Sequence, residues 1–387
     1  MDRRLLALAM SMFSLGTGGF IVAGLLPQIA VSFSVSVGVA AQMLTVFAVS
    51  YALLAPTVAA LAAGIPRKKL LLSGLALFVI ANLATALAPN FGFALVARAI
   101  AGLGAAMFAP TATSAATLLV PPEKRGFALS MVVAGLTAST ALGSPIGTVI
   151  GGLGDWRWSM VFVAFMSAMA GLGVMVLIKD IPMPPKVTLL KRLAPMVDPR
   201  IALTLFTTFC ILSAIFVVYT YFAIVFDRAY NGNSLILALL LVLWGAGGTI
   251  TNLAAGRVID TIGERKVLIV MLTLMILDLL TLPWTSANLW TAGVAILIWG
   301  ACGWGLLVPQ QHRLVSIAPD AAAMVLGLNV SFTYLGISAA GVIGAFFIPL
   351  VGGYNLGLIG AGFAVLAFAL SELATQVIHA RFCVAEI

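Results

Sequence analysis

GRVIDTIGERKVLIVMLTLMILDLLTLPW, residues 256 to 284, decides the fold. The eleven residues from Gly256 to Lys266 hold five charged side chains, whereas the eighteen from Val267 to Trp284 hold one, Asp278. A helix rises about 1.5 Å per residue, so a run near 20 apolar residues covers a hydrocarbon core of about 30 Å. Inside hydrocarbon every backbone amide must be bonded within the segment, which makes such a run a helix. Working outward from it, the same alternation of apolar run and short polar connection fills the chain. The runs predict helices near 5 to 31, 39 to 63, 70 to 88, 91 to 119, 127 to 151 and 157 to 178. Six more are predicted near 201 to 226, 234 to 259, 267 to 285, 289 to 311, 321 to 350 and 355 to 379. Strict period-two alternation is missing, so a membrane barrel does not fit. The expected fold is an all-α integral membrane protein of twelve transmembrane helices.

Composition excludes most other classes. Hydrophobic residues make up 62% of the chain and charged residues 8%, with a mean hydropathy of +1.17, whereas soluble domains are about a quarter charged. A net charge of +8 raises the question of nucleic acid, but the basic residues lie in short clusters without interleaved aromatics, and no nucleic-acid partner is expected. Cys210, Cys302 and Cys383 have no metal-ligand spacing and read as core or tail residues. His312 and His379, the two histidines, are accompanied by no Ser-His-Asp or metal pattern, so no enzyme, cofactor or metal is expected. The apolar run after Arg3 and Arg4 is too long for a signal sequence and reads as the first span.

The lysines and arginines orient the chain. With sides alternating at each crossing, 17 of the 20 fall on the side shared by both termini, Arg157 and Arg228 fall on the other, and Arg98 lies within a helix. Both termini are therefore expected in the cytoplasm.

The chain also reads as two copies of one unit. Arg67-Lys68 recurs as Arg265-Lys266 at an offset of 198, Gly102-Leu103-Gly104 as Gly303-Trp304-Gly305 at 201, Pro110 as Pro309 at 199, and Pro122-Glu123 as Pro319-Asp320 at 197. Residues 1–178 and 201–387 are expected to form two six-helix bundles joined by a cytoplasmic linker at 179–200. A parallel repeat of this kind places a binding site near the midplane between the halves.

These features resemble the major facilitator superfamily, and within it the drug:proton antiporter and arabinose-efflux-like branch. Arg98 with Gly102 and Gly104 resembles an Arg-x-x-x-Gly-x-Gly motif of the fourth helix. Pro121 to Gly126 resembles the loop that follows. Gly143-Ser144-Pro145-Ile146-Gly147 is similar to the fifth-helix antiporter motif, with Ser144 in place of a glycine. Gly256, Asp260, Gly263, Arg265 and Lys266 match Gly-x-x-x-Asp-x-x-Gly-x-Arg-Lys, while the first-half copy of that loop has Val58 and Ala62 at the Gly and Asp positions. The resemblance implies alternating access, proton-driven export, and a conformational clasp at the second loop, where Asp260 meets a helix of the other half. Acidic residues that related first helices carry are absent here, the chain having Gly18-Gly19-Phe20 and Gln28.

The candidate substrate and coupling residues are Arg98, Asp278, Tyr219, Tyr221, Trp299, Gln310 and Asn329. An arginine about two turns into a helix costs roughly 2.5–3.5 kcal/mol on insertion and so faces the bundle. It is either a cation that senses substrate or protons, or a structural tie to backbone carbonyls. Asp278, flanked by leucines, is either a proton carrier or a buried structural acid, and Glu372 is a second, weaker candidate. Tyr219, Tyr221, Phe222, Trp299, Trp304, Gln310 and Gln311 offer aromatic walls with amides, as an amphipathic solute needs, or else interfacial aromatics. Asn329, Ser331 and Tyr334 are either cavity groups or interhelical bonds. Gly135, Ser139, Gly143, Gly147 and Gly151 form a small-residue stripe suited to close packing.

The expected function is export of a small organic molecule, a sugar, nucleoside, amino acid or drug, by a secondary transporter coupled to protons. The alternatives are uptake by a symporter or uniporter of the same fold, or a non-transporting receptor. The expected setting is a bacterial inner membrane, with the chain a monomer in the lipid bilayer.

Overall fold

A computed structural model describes residues 2–179, 181 and 187–385. Lys186 of the expected linker, and the side chains of Pro122, His379, Arg381 and Cys383, lie outside the described residues. Among the described residues eleven helices are long and apolar enough to cross a membrane, and a pair bent by 44° makes a twelfth if read as one span. The bent pair is α1, Arg3–Phe20 with Val22–Ser32. The other helices of the first half are α2 (Val37–Leu61), α3 (Arg67–Ala86), α4 (Phe91–Leu118), α5 (Arg125–Gly152) and α6 (Trp156–Leu177). Those of the second are α7 (Pro199–Tyr219), α8 (Ser234–Ile262), α9 (Glu264–Thr285), α10 (Leu289–Ile317), α11 (Pro319–Val351) and α12 (Gly353–Ile378).

The sequence predicts unbroken helices at 5 to 31 and 127 to 151, and the structure interrupts both. α1 breaks at Ile21, next to Gly18-Gly19 and with Pro27 in its second segment, the residue types at which helices bend. α5 contains a π turn, Ser139–Gly143. Pro145 lies two residues beyond it, and a proline in a regular helix clashes with the carbonyl four residues back; the wider turn lets that carbonyl, of Ala141, move aside.

By contacts the chain divides into two compact units. One comprises Met1–Val187 and Tyr230–Gly245, the other Thr188–Ala229 and Ala246–Ile387. Within the first, α1 packs on α5 and α6, α2 on α4, and α3 on α4 and α6. Within the second, α7 packs on α11 and α12, and α9 on α10 and α12. The carbonyls of Leu297 and Gly300 on α10 come within 2.5 and 3.1 Å of where side chains at Gly247 and Gly248 of α8 would start. The second unit thus repeats the pairings of the first, shifted by six helices.

The repeat extends to helix capping. Asn90 accepts from the Phe93 amide at 2.9 Å to start α4, and Asn288, 198 residues on, accepts from the Trp290 amide at 2.9 Å to start α10. Asp2 and Asp198 likewise cap α1 and α7, each accepting from the backbone and guanidinium of the arginine two residues on, Arg4 or Arg200. Capping carboxylates satisfy amides that no helical carbonyl reaches. The hydrogen bond from Arg4 holds the Asp2 carboxyl below its ordinary range.

Candidate functional site

In the first unit the polar interior centres on Arg98. α4 lies close to α2 because Gly102 is bare: a side chain there would start 2.6 Å from the Phe47 carbonyl. One turn earlier Arg98 is fully buried, its Nε donating to the Met43 carbonyl at 3.2 Å and its guanidinium carbon 4.7 Å from the centre of the Phe47 ring. Nη1 and Nη2 have no hydrogen-bond partner among the described residues. A guanidinium carries five N–H groups, and each buried donor left unpaired costs about 1–3 kcal/mol, more than the roughly 0.5–2 kcal/mol of a cation–π contact returns. The arrangement suits an acceptor brought in from outside the fold, a solute or water.

In the second unit α7, the short helix Phe222–Val225 that follows it, and α10 bring aromatic rings together. Tyr219 lies 6.4 Å from Trp299 and 5.1 Å from Phe216, and Phe222 stacks on Trp299 at 6.1 Å. All four are buried. Gly303, one turn on from Trp299, faces Ile215 of α7 at ordinary contact distance. Gln310 on α10 is fully buried, and neither its oxygen nor its nitrogen is hydrogen-bonded among the described residues. An amide can make four such bonds, so this is a second strongly polar group held in the interior. Gln311 is exposed.

Two other candidates have different work. The Tyr221 hydroxyl donates to the Gly341 carbonyl at 2.7 Å, its ring resting where a side chain on Gly344 would be. Asn329 Oδ1 accepts from Thr208 Oγ1 at 2.8 Å. Both join the segment of α7 or its end to α11 as interhelical ties.

The fifth-helix motif packs on α1. Side chains at Gly143 and Gly147 would collide with Thr17 and Ile21, and at Gly135 with the carbonyl of Ala9 at 2.1 Å. Pro145, about 200° around α5 from Gly143 and Gly147, is also buried. The stripe of small residues is a seam that seats α5 on α1.

The segment from Gly256 to Lys266 is mostly exposed. Gly256, Asp260, Arg265 and Lys266 are exposed, and Asp260 forms no ion pair among the described residues. Gly263 has φ +84°, a conformation reserved for glycine, and begins α9. Arg265 reaches Glu372 of α12 at 2.6 Å, so the second intramembrane acid is already paired. Beside it Glu264 accepts from Arg313 at 3.2 Å and contacts His312 at 2.5 Å, while Arg313, 2% exposed, donates to Ser371. Sequence reading placed Arg313 among the loop charges and missed this buried link between α9, α10 and α12. The signal was Pro309-Gln310-Gln311-His312-Arg313-Leu314, polar groups one turn apart inside a continuing helix. Asp278 is 8% exposed, with Oδ2 unpaired among the described residues.

A wholly helical chain of such spans, with unpaired polar groups held in its interior, defines a multi-pass membrane transport protein. The chain belongs to the Major Facilitator Superfamily, whose family model matches residues 8–341; this is a family of transporters and not of enzymes. It is 30% identical over 375 residues to the MFS-type transporter YbcL of Bacillus subtilis strain 168, covering 95% of this chain and 94% of the relative. It is 29% identical to the inner membrane transport protein YdhP of Escherichia coli K12, covering 95% of each. A chloramphenicol resistance protein of Streptomyces lividans is 34% identical over 264 residues, 65% of this chain and 66% of that protein. In fold it matches the nucleoside transporter NupG, with a TM-score of 0.78 at 12% identity over 96% of this chain and all of the other.

Proposed function

We propose that this chain is a secondary active exporter of a small organic molecule, working by alternating access between two six-helix halves, residues 1–178 and 201–387, joined by the 179–200 segment. Its substrate is a sugar, nucleoside, amino acid or drug, and export is driven by proton antiport, as in the drug:proton antiporter and arabinose-efflux-like branch. The chain works as a monomer in a bacterial inner membrane with both termini in the cytoplasm. The observation that carries this reading is Arg98, a fully buried guanidinium with both Nη atoms unpaired. A permanent cation in a membrane interior is retained at a cost of several kcal/mol only where it has a task. The names of relatives support the direction of transport: one is a chloramphenicol resistance protein and another a probable sugar efflux transporter of Mannheimia succiniciproducens. In this reading Tyr219, Trp299 and Gln310 contact the solute. Gly256, Asp260, Gly263, Arg265 and Lys266 serve as the clasp, and Asp278 is the free carboxylate for proton exchange, Glu372 being paired with Arg265.

The test is uptake into inverted vesicles with and without an imposed pH gradient, over a panel of sugars, nucleosides, amino acids and phenicol drugs. Accumulation of at least one compound that collapses with the gradient is expected. Movement of substrate only down its own gradient, unaffected by pH, would overturn the coupling. Accumulation in right-side-out vesicles instead would overturn the direction.

A further inference from the structure

At the end of the second unit where α9 finishes and α10 begins, a cavity of about 400 Å³ opens sideways between the two helices. Its size lies within the range of small-molecule sites, about 300–1,000 Å³. Its polar groups are the Asp278 carboxylate and the hydroxyls of Thr281, Thr285 and Thr291. Each hydroxyl proton is already spent on a backbone carbonyl: Thr281 donates to Asp278 at 3.0 Å, Thr285 to Thr281 at 3.3 Å and Thr291 to Thr285 at 2.7 Å. Those oxygens can therefore only accept. Asp278, more than nine-tenths buried, adds its carboxylate, of which Oδ2 is closed off from solvent and has no partner among the described residues. Among the described residues, no lysine, arginine or histidine lines the cavity. Acceptors without a matching donor or cation select a ligand that brings both.

The remaining wall is apolar. Trp290 and Val294 of α10 stand at its mouth and are largely exposed, on a surface that in a bilayer meets acyl chains. A ligand reaching Asp278 by this route crosses hydrocarbon and needs an apolar body, and on arrival the indole face favours a cation.

We infer that this lateral cavity binds a protonated lipophilic amine, its ammonium on Asp278 and the threonine oxygens and its hydrocarbon against Trp290 and Val294. An amine solute fits better than an amine-headed phospholipid, because no basic side chain among the lining residues meets a phosphate. The inference stands on the second unit alone and does not depend on the exporter reading.

The probe is a long-chain primary alkylamine carrying a diazirine in its tail, with the alcohol of the same chain as the uncharged control. Both are photolysed with the purified full-length protein in phosphatidylcholine vesicles. The amine is expected to label peptides within residues 278–298 at least tenfold more than the alcohol. Asp278→Asn should reduce amine labelling to the level of the alcohol. Val294→Trp, which keeps the carboxylate and fills the groove, should reduce both. Equal labelling by amine and alcohol, or amine labelling that survives Asp278→Asn, would overturn the site. Loss of labelling when phosphatidylethanolamine replaces phosphatidylcholine would overturn the amine solute in favour of a lipid. Any of these failures leaves the vesicle transport test of the exporter reading untouched.

Discussion

At the residue scale, the polar groups that matter are those the fold buries and does not pair. Arg98 makes one hydrogen bond and one ring contact, with Nη1 and Nη2 unpaired. Arg98→Ala is expected to abolish transport while the protein still inserts and runs as a folded species on size exclusion; unchanged transport at normal expression would sink the proposed role. Gln310 separates binding from stability more sharply. Its amide is buried with neither atom bonded, and replacing an unsatisfied buried polar group by an apolar one of similar shape is neutral or stabilising by about 1 kcal/mol. Gln310→Leu should therefore hold or raise the thermal midpoint while lowering transport at least tenfold. A drop in both would mean that the amide is structural. The sequence made these residues visible because a polar side chain in an apolar run is rare. It could not show that Asn329 and Tyr221 are spoken for, since their partners, Thr208 and Gly341, lie 121 and 120 residues away.

At the element scale, helices in hydrocarbon are held by shape and by a few polar links, because lipid competes for apolar contacts. The α1–α5 seam depends on the missing side chain at Gly135, where Cβ would meet a backbone oxygen that cannot move aside. Gly135→Ala is expected to cost about 1–3 kcal/mol, as overpacking does. Gly126→Ala, in open space at the start of the same helix, should cost nothing or add stability through helix propensity. Equal midpoints for the two variants in thermal denaturation would refute the seam. In the second unit Glu264→Ala strands the buried Arg313 with Ser371 alone, whereas Arg265→Ala breaks a pair whose arginine is exposed. The first should lower the midpoint clearly more than the second, since breaking a buried pair costs far more than losing an exposed one. The reverse order would show that the Arg265–Glu372 pair is the principal tie.

At the scale of the whole molecule, transport depends on the balance between outward-open and inward-open states. On the reading that Asp260 favours the outward-open state, Asp260→Asn shifts the population inward by up to about tenfold, for a loss of roughly 1.4 kcal/mol. The effect should exceed what a duplicated clasp would show, because Ala62 has no carboxylate. Cysteine labelling from the periplasmic side should weaken in the variant, and labelling that does not change would refute the clasp.

What the sequence determined by itself is the all-helical membrane fold, the positions of its spans and the presence of a repeat. These follow from local quantities: run length, hydropathy and the spacing of landmarks such as Arg67-Lys68 and Arg265-Lys266. The same was in principle true of the caps at Asn90 and Asn288, which depend on four and three consecutive residues. The tertiary structure alone decided that Glu372 is paired with Arg265, that Arg313 is buried, that Tyr221 and Asn329 are ties, and that Asp278 borders a cavity. The pairs and ties depend on atoms from helices far apart in the chain meeting within about 3 Å, and the cavity on how α9 and α10 meet. A one-dimensional pattern carries the period of a helix and the cost of a charge, but not which neighbour that charge will face.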